Sequence, residues 1–194
     1  MRIVAGQYRG RLLRTLRGQD VRPTSDRLRE TLFNILAPQI AGSRFLDLCA
    51  GSGAVGIEAL SRGSSDITFV ERYRLACSMI RKNLESLGIE RNAAVVCRDA
   101  EAAVKSLAGQ GAQFDIIFFD PPYASTIHRS VLELIARGHL LAEDGIVVVE
   151  HRAKVPLESE FAGLKVYRQI KQGESALTFM SWNVGTLERQ NVSS

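Results

Sequence analysis

Cysteine is scarce in this 194-residue sequence, and its spacing fits neither a disulfide framework nor a zinc site. The three cysteines, Cys49, Cys77 and Cys97, are an odd number and form no Cys-x-x-Cys pair. Both kinds of site need paired or closely spaced thiols. Because all three lie in apolar stretches, we expect buried, reduced thiols. The three histidines show no metal-ligand spacing either, so we expect no bound metal.

Long apolar runs are also missing. None approaches the roughly 20 residues that cross a bilayer, and the N-terminus lacks the apolar stretch and cleavage site of a signal peptide. The sequence contains no P-loop and no G-x-S-x-G nucleophile elbow. With 45% apolar and 24% charged residues, the composition is that of a globular protein. We expect a cytoplasmic protein whose length suits one domain.

Negative charge is sparse at the N-terminal end. Residues 1–31 hold eight arginines against three acidic residues, whereas the rest of the chain carries 17 basic and 18 acidic residues. The whole net charge of +4 therefore arises from the first 31 residues. Guanidinium groups make forked contacts with phosphate oxygens, so this opening predicts a polyanionic partner such as RNA. A merely solubilising surface is the alternative.

The basic opening has the pattern of a hairpin followed by a helix. Two short apolar runs within residues 2–17 flank a Gln-Tyr-Arg-Gly turn, which predicts an arginine-rich β-hairpin. Residues 22–26 read as a loop in which Ser25 or Asp26 caps the next helix. Apolar residues at helical spacing continue that helix until Pro38, which we expect to end it.

From residue 44 onward, strand and helix patterns alternate. Five apolar segments predict strands, and helical segments separate them; the predicted strands are 44–49, 67–70, 93–97, 114–119 and 145–150. Such alternation predicts an α/β fold with a mostly parallel sheet. Residues 164–171 and 175–182 read as a hairpin that joins this sheet. We expect a basic N-terminal β-hairpin extension over 1–20, one domain over 21–184 and a frayed tail over 185–194.

A glycine-rich loop follows the first predicted strand. Gly51-Ser52-Gly53-Ala54-Val55-Gly56 matches G-x-G-x-x-G between a strand and a helix. Glycines there allow a tight turn and close approach of a ligand to the backbone. Glu71 lies 20 residues after Gly51, at the end of the next strand, where a carboxylate accepts hydrogen bonds from ribose hydroxyls. These features alone fit a nicotinamide dinucleotide as well as S-adenosylmethionine.

Two further acidic residues favour S-adenosylmethionine. Asp47 lies in the first predicted strand, and a carboxylate there suits an ammonium and a sulfonium better than a pyrophosphate. Asp99 follows the third predicted strand and is placed to accept a hydrogen bond from the adenine amino group. A carboxylate that only holds the turn is the alternative reading of Asp47.

Asp120-Pro121-Pro122-Tyr123 follows the most apolar predicted strand. The two prolines stiffen the turn and have no N–H, so the Asp120 carboxylate and the Pro121 carbonyl can both point outward as acceptors. An exocyclic amino group of a base is a poor nucleophile, and two acceptors that grip its hydrogens would orient its lone pair toward a methyl donor. Tyr123 offers a face on which the base stacks. The sequence therefore predicts methylation of an amino nitrogen in a nucleic-acid base.

Three alternative functions stay open at this point. A DNA adenine or cytosine amino-methyltransferase shares the chemistry, although such enzymes usually carry a separate target-recognition domain. A nicotinamide-binding protein shares the glycine loop. An RNA-binding protein that lacks cofactor affinity shares the basic opening.

Taken together, these motifs resemble a known family. Asp47-Leu-Cys-Ala-Gly-Ser-Gly53, Glu71 and Asp120-Pro-Pro-Tyr123 resemble the class I S-adenosylmethionine-dependent amino-methyltransferases. The opening, residues 2–11 and 22–34, is similar to the bacterial ribosomal small-subunit methyltransferase D family. The similarity runs from residue 2 to about residue 183. Cys49 stands where we expect a bulky aromatic residue, and Arg72 replaces one member of a more usual acidic pair.

The resemblance implies a function and a set of site residues. It implies a Rossmann-like, seven-stranded sheet whose last strand is antiparallel, and methylation of guanine N2 in 16S ribosomal RNA, in small-subunit particles and by a monomer. The implied catalytic residues are Asp120, Pro121, Pro122 and Tyr123. The implied cofactor-binding residues are Asp47, Cys49, Ala50, Gly51, Ser52, Gly53, Glu71, Arg72, Asp99, Ala100 and Asp120. The implied RNA-binding residues are Arg2, Arg9, Arg11, Arg14, Arg22, Thr24 and Arg27.

Overall fold

The computed structural model describes residues 1–15, 26–122 and 127–183. Within these ranges, helices and strands alternate as the sequence predicts. The five helices are α1 Asp26–Ile40, α2 Ala54–Ser61, α3 Arg74–Ser86, α4 Ala100–Gly109 and α5 His128–Arg137. The eight strands of the described residues are β1 Arg44–Leu48, β2 Asp66–Glu71, β3 Ala93–Cys97, β4 Phe114–Phe119, β5 Leu141–Arg152, β6 Glu160–Phe161, β7 Leu164–Gln172 and β8 Ser175–Ser181.

The chain forms two compact units that divide between Ala103 and Val104. In the first unit, β2 pairs in parallel with β1 on one side and β3 on the other. The buried face of α1, which includes Leu32, Phe33 and Leu36, contributes to the core of this unit. The rings of Phe33 and Phe45 stack at 6.5 Å. This packing fixes β1 against α1 near the start of the strand, and the carboxyl end of β1 leads into the glycine loop.

The second unit carries strands in the order β4-β5-β8-β7-β6. β4 and β5 are parallel, whereas β8 is antiparallel to both β5 and β7. The last strand is thus antiparallel, as expected, and the predicted terminal hairpin is β7 and β8. β4 consists of Phe114-Asp-Ile-Ile-Phe-Phe119 and is buried along most of its length, so its carboxyl end is firmly positioned.

Several sequence predictions need correction. We expected seven strands, and the described residues contain an eighth, the two-residue strand β6, which pairs with β7. β5 is longer than predicted, beginning at Leu141 rather than Gly145. Pro38 lies inside α1 and does not end it. A proline in the last turn removes one intrahelical hydrogen bond, and the buried side chains of Leu36 and Ile40 hold that turn in place.

The N-terminal hairpin is smaller than predicted, and one cysteine is not buried. Residues 2 and 12 form an isolated antiparallel bridge rather than a strand ladder. Cys97 is exposed, whereas Cys77 is buried and Cys49 is half-buried; all three are thiols outside any disulfide. Cys97 is exposed because β3 pairs only with β2 within its unit and its outward side chains lie at the sheet margin.

Two predicted segments lie outside the described residues. One contains the predicted boundary between residues 20 and 21, and the other is the predicted tail over 185–194. The predicted domain limits therefore stay predictions. None of the helices that the structure describes has the length and apolar character that crossing a membrane requires.

Candidate functional site

The glycine loop joins β1 to α2 through three left-handed residues. Cys49, Gly51 and Gly53 have φ values of 65°, 55° and 78°, and Gly53 caps the N-terminus of α2. The loop folds on itself through the Gly53 N–H, which donates to the Ala50 carbonyl at 2.8 Å. A Cβ added at Gly51 would meet no atom within 4 Å. The loop therefore presents its backbone to open space at Gly51, as a ligand-binding turn requires.

Glu71 ends β2 directly beside this loop. Its Oε2 accepts the Gly51 N–H at 2.9 Å, and its Oε1 accepts the Tyr73 N–H at 2.8 Å. The side chain is buried. Each carboxylate oxygen has a second lone pair, so Glu71 keeps acceptor capacity for hydroxyl groups while it fixes the loop. Glu71 thus ends the second strand as predicted, and its bond to the Gly51 N–H is a contact that the sequence did not indicate.

Asp47 lies within β1 and is fully buried, with 1% of its surface exposed. Its Oδ2 accepts the Gly56 N–H at 2.9 Å, which ties the start of α2 to β1. Desolvation raises the pKa of Asp47 to about 7, with the Gly56 hydrogen bond acting against this rise and the charge of Glu71 adding to it. The Asp47 carboxylate thus holds the turn, and its surroundings stabilise its negative charge only weakly. A cation arriving at the loop would favour the charged form.

The remaining predicted cofactor residues flank the same end of the first unit. Asp99 is exposed and caps α4, its Oδ1 accepting the Ala102 N–H at 2.9 Å. Ala100 is buried in the first turn of that helix. Arg72 is exposed and stacks on the ring of Tyr73, with its guanidinium carbon 4.5 Å from the ring centroid.

The predicted catalytic residues follow β4 in the second unit. Asp120 is half-buried, Pro121 is buried and Pro122 is exposed. The preceding residue, Phe119, is fully buried and its ring lies 5.9 Å from that of His128. A rigid strand thus leads into Asp120 and the prolines, as predicted. Tyr123 lies outside the described residues.

The predicted RNA-binding arginines divide into two groups. Arg2, Arg9 and Arg27 line one groove of about 630 Å³ in which the carboxylates of Asp26 and Glu30 also lie. The other group lies beside α3, where Arg11 donates to the Ser86 carbonyl at 2.7 Å and Arg14 contacts Asn83. All five arginine side chains are exposed. Arg22 and Thr24 lie outside the described residues.

Sequence reasoning missed three buried polar residues that anchor the N-terminal segment, residues 1–15. The fully buried Glu58 of α2 accepts the N–H groups of Val4 and Ala5 at 2.8 and 2.9 Å. Arg29 counts toward the basic opening, yet it is buried and donates to the Arg2 carbonyl at 2.7 Å. The third anchor is Asn83. The sequence offered one signal for these anchors, which is the charged residue Glu58 inside the largely apolar helix α2.

Among the described residues, no group of histidine, cysteine and acidic side chains has the arrangement of a metal site.

Comparison with known proteins gives this arrangement a family. The family model described as Conserved hypothetical protein 95 matches residues 1–181. Ribosomal RNA small subunit methyltransferase D of Escherichia coli K12 is 38% identical over 176 residues, covering 91% of this chain and 87% of that protein.

Solved structures agree with this assignment. A chain from Escherichia coli described as a methyltransferase candidate, yhhF, has a TM-score of 0.80 and 36% identity, covering 93% of this chain and 96% of that chain. The S-adenosylmethionine-dependent methyltransferase of Agrobacterium tumefaciens shares the fold, with a TM-score of 0.61 and 17% identity over 80% of this chain and 61% of that one. The predicted Rossmann-like methyltransferase fold is confirmed. The chain belongs to the family described as Conserved hypothetical protein 95, and its predicted resemblance to the ribosomal small-subunit methyltransferase D proteins is confirmed.

Proposed function

We propose that this protein transfers a methyl group from S-adenosylmethionine to the N2 amino group of a guanine in 16S ribosomal RNA. The observation that carries the proposal is the pairing of the glycine loop with two strand-end carboxylates, Asp47 and Glu71, in a chain that also bears Asp120 and two prolines after a buried strand. The relative at 38% identity carries the name of a ribosomal RNA small subunit methyltransferase.

The residues of the loop fit the proposed cofactor. Glu71 keeps acceptor capacity for ribose hydroxyls, and the space in front of Gly51 is open. Burial raises the pKa of Asp47 to about 7, so a nearby positive charge would favour its ionised form, and the cofactor carries an ammonium and a sulfonium. A pyrophosphate would instead meet the carboxylate of Asp47 at the mouth of β1, which disfavours a dinucleotide. When bound, S-adenosylmethionine would supply a methyl group activated by its positive sulfur, with S-adenosylhomocysteine as the leaving group once the sulfur–methyl bond breaks.

In this proposal the chain's own contribution to the reaction is positioning. The Asp120 carboxylate and the Pro121 carbonyl accept the two hydrogens of the guanine amino group and direct its lone pair. As the new C–N bond forms, positive charge develops on nitrogen, and the Asp120 carboxylate stabilises it. The surplus proton then leaves the nitrogen for Asp120 or solvent. Tyr123 stacks on the base, and the exposed arginines of residues 2–14 with Arg22, Thr24 and Arg27 hold the RNA backbone.

The test measures transfer of labelled methyl groups to 16S RNA, both as naked RNA and in assembled small subunits that lack the modification. We expect wild-type protein to label one guanine, located by mass mapping of nuclease fragments. Asp120→Ala and Asp120→Asn should lower the rate at least 100-fold, because removing one stabiliser of developing charge typically has that effect.

A matched control and two contrary outcomes complete this test. Asp144 is an exposed carboxylate of the same unit, so Asp144→Asn should label at the wild-type rate. Undiminished labelling by Asp120→Ala would contradict the role of Asp120. Labelling of duplex DNA but not of ribosomal RNA, or of adenine or cytosine, would contradict the substrate.

A further inference from the structure

Asn83 of α3 is bonded both to the glycine loop and to the N-terminal segment. Its side chain is fully buried. The Oδ1 accepts the Arg14 N–H at 2.8 Å, and the Nδ2 donates to the carbonyls of Arg14 at 3.1 Å and Ser52 at 3.0 Å. The amide therefore uses both of its donor hydrogens and one lone pair of its oxygen. It joins backbone groups that lie 38 positions apart in the sequence, at residues 14 and 52.

Each partner of Asn83 lies in a segment with a proposed ligand. Ser52 lies between the two left-handed glycines of the loop, whose backbone is also held by Glu71 through Gly51. Arg14 has its backbone N–H and carbonyl both engaged by Asn83, whereas its guanidinium group is exposed. The amide fixes the backbone from which the Arg14 side chain projects and leaves that side chain free to meet a phosphate.

The geometry of an amide makes these contacts interdependent. The two hydrogens on Nδ2 and the lone pairs on Oδ1 lie in one rigid plane. A shift of the Ser52 carbonyl therefore turns the amide and changes its alignment with both backbone groups of Arg14. Because the side chain is buried, water does not replace a bond that is lost, and each misaligned group has a full desolvation cost.

We propose that Asn83 is a positioning residue that couples cofactor binding at the glycine loop to RNA binding at Arg14. This inference rests on the proposed function, because it needs the cofactor at Ser52 and RNA at the basic segment. Cofactor that orders the glycine loop fixes the Ser52 carbonyl, and the Asn83 amide then holds the backbone of Arg14 in one orientation. RNA therefore binds an N-terminal segment that is already ordered. By linkage, bound RNA raises cofactor affinity by the same factor.

The experiment measures the dissociation constant of S-adenosylhomocysteine by calorimetry, without RNA and with saturating unmodified small subunits. For wild-type protein we expect RNA to tighten the binding about tenfold, within the ordinary range of coupling between sites. Asn83→Asp keeps an acceptor for the Arg14 N–H but turns a carboxylate oxygen toward two carbonyls. We expect this variant to fold and to bind both ligands, with coupling reduced to less than twofold. Asn83→Ser serves the same purpose if Asn83→Asp does not fold.

Ser61→Ala is the matched control. The Ser61 hydroxyl donates to the Ala5 carbonyl at 2.6 Å and accepts the Tyr8 N–H at 2.9 Å, so it anchors the same segment without touching the glycine loop. This variant should lose stability and keep the tenfold coupling. Equal loss of coupling in Ser61→Ala and Asn83→Asp would overturn the proposal, because general loosening of the segment would then explain both. Full coupling in Asn83→Asp would also overturn it.

The outcomes separate this inference from the proposed function. Wild-type protein that binds neither S-adenosylhomocysteine nor small subunits would contradict the proposed function. Wild-type protein that binds both with independent affinities would contradict the coupling alone and leave the proposed reaction standing.

Discussion

The glycine loop and the N-terminal segment are both held by side chains that accept backbone N–H groups, but these side chains come from different kinds of element. In the loop, backbone N–H groups of Gly51 and Gly56 donate to carboxylates that project from neighbouring strands. In the N-terminal segment, the backbone is held by side chains of two helices, chiefly Glu58, Ser61 and Asn83. The loop is therefore built by its own sheet, whereas the segment depends on buried polar residues more than 45 positions away.

Buried carboxylates in the two regions also have different surroundings. Glu58 is fully buried but lies 2.9 Å from Arg62 Nε and 3.8 Å from Arg29 Nε, so its charge is paired. Asp47 is equally buried, and the hydrogen bond from Gly56 only partly offsets its desolvation. The comparison indicates that the charge of Glu58 is paired within the fold, whereas burial disfavours the charge of Asp47, which a cationic ligand would stabilise.

The largest expected effect is that of Glu58→Ala. The substitution removes the buried carboxylate that pairs with Arg62 and with the buried Arg29, and it leaves the N–H groups of Val4 and Ala5 without their acceptor. We therefore expect a loss of about 3–5 kcal/mol of unfolding free energy. Urea denaturation measures it. Glu133→Ala removes a carboxylate paired to Arg129 and Arg137 on an exposed helix face and should cost less than about 1 kcal/mol. Equal losses would contradict the distinction between a buried anchor and a surface pair.

Asp47→Asn tests the unfavourable charge of the loop. Because the folded pKa is about 7 and the ordinary value is 3.8, the native state holds its proton more tightly than the unfolded state. Wild-type stability should therefore fall as the pH rises from about 4 to about 7. Asparagine cannot titrate. The unfolding free energy of the variant should therefore rise relative to that of the wild type as the pH increases across that window, by on the order of a few kcal/mol. Parallel denaturation midpoints for the two proteins from pH 4 to pH 8 would contradict the raised pKa.

Gly6→Ala tests how closely the N-terminal segment approaches α2. Gly6 has φ of 81°, and an added Cβ would lie 1.7 Å from the Ser61 carbonyl oxygen. The segment would have to move away and lose the 2.7 Å bond from the Gln7 N–H, for an expected cost of about 2–3 kcal/mol. Gly10 has φ of 83° with open space around it, so Gly10→Ala should cost only about 1 kcal/mol of backbone strain. Thermal unfolding of the pair separates crowding from strain, and equal shifts would exclude the close approach.

The smallest expected effect is that of Gly56→Ala in the loop region. An added Cβ would lie 2.3 Å from Phe69 Cε1 and 3.1 Å from Asp47 Oδ2. We expect a cost of about 1–3 kcal/mol from overpacking, with the effect confined to the contact between α2 and β2. Gly109→Ala adds a methyl group in open space at the end of a helix and should be neutral or slightly stabilising. Amide hydrogen exchange at residues 54–61 measures the difference, and unchanged protection there would contradict it.

The loop was predictable because its determinants are close in sequence. The glycine pattern, Asp47 and the acidic residue 20 positions later sit on consecutive elements, and parallel strands bring their carboxyl ends to one edge. The anchors of the N-terminal segment were not predictable, because Glu58 and Asn83 are single polar residues in helices and carry no periodic signal. Arg29 illustrates the same limit. As one arginine of the basic opening, it is expected at the surface, whereas its burial depends on Glu58 and on the Arg2 carbonyl.

The sequence by itself determined the alternation of strands and helices, the glycine loop with Glu71, the buried strand that leads into Asp120 and the excess of arginine at one end. Each depends on local pattern, dihedral preference or charge, which the sequence displays directly. Only the tertiary structure decided that Asp47 is buried against Gly56, that Arg29 lies inside, and that Asn83 joins Arg14 to Ser52. These depend on which distant side chains share a water-free space, because burial determines both the cost of an unpaired polar group and the strength of a paired one.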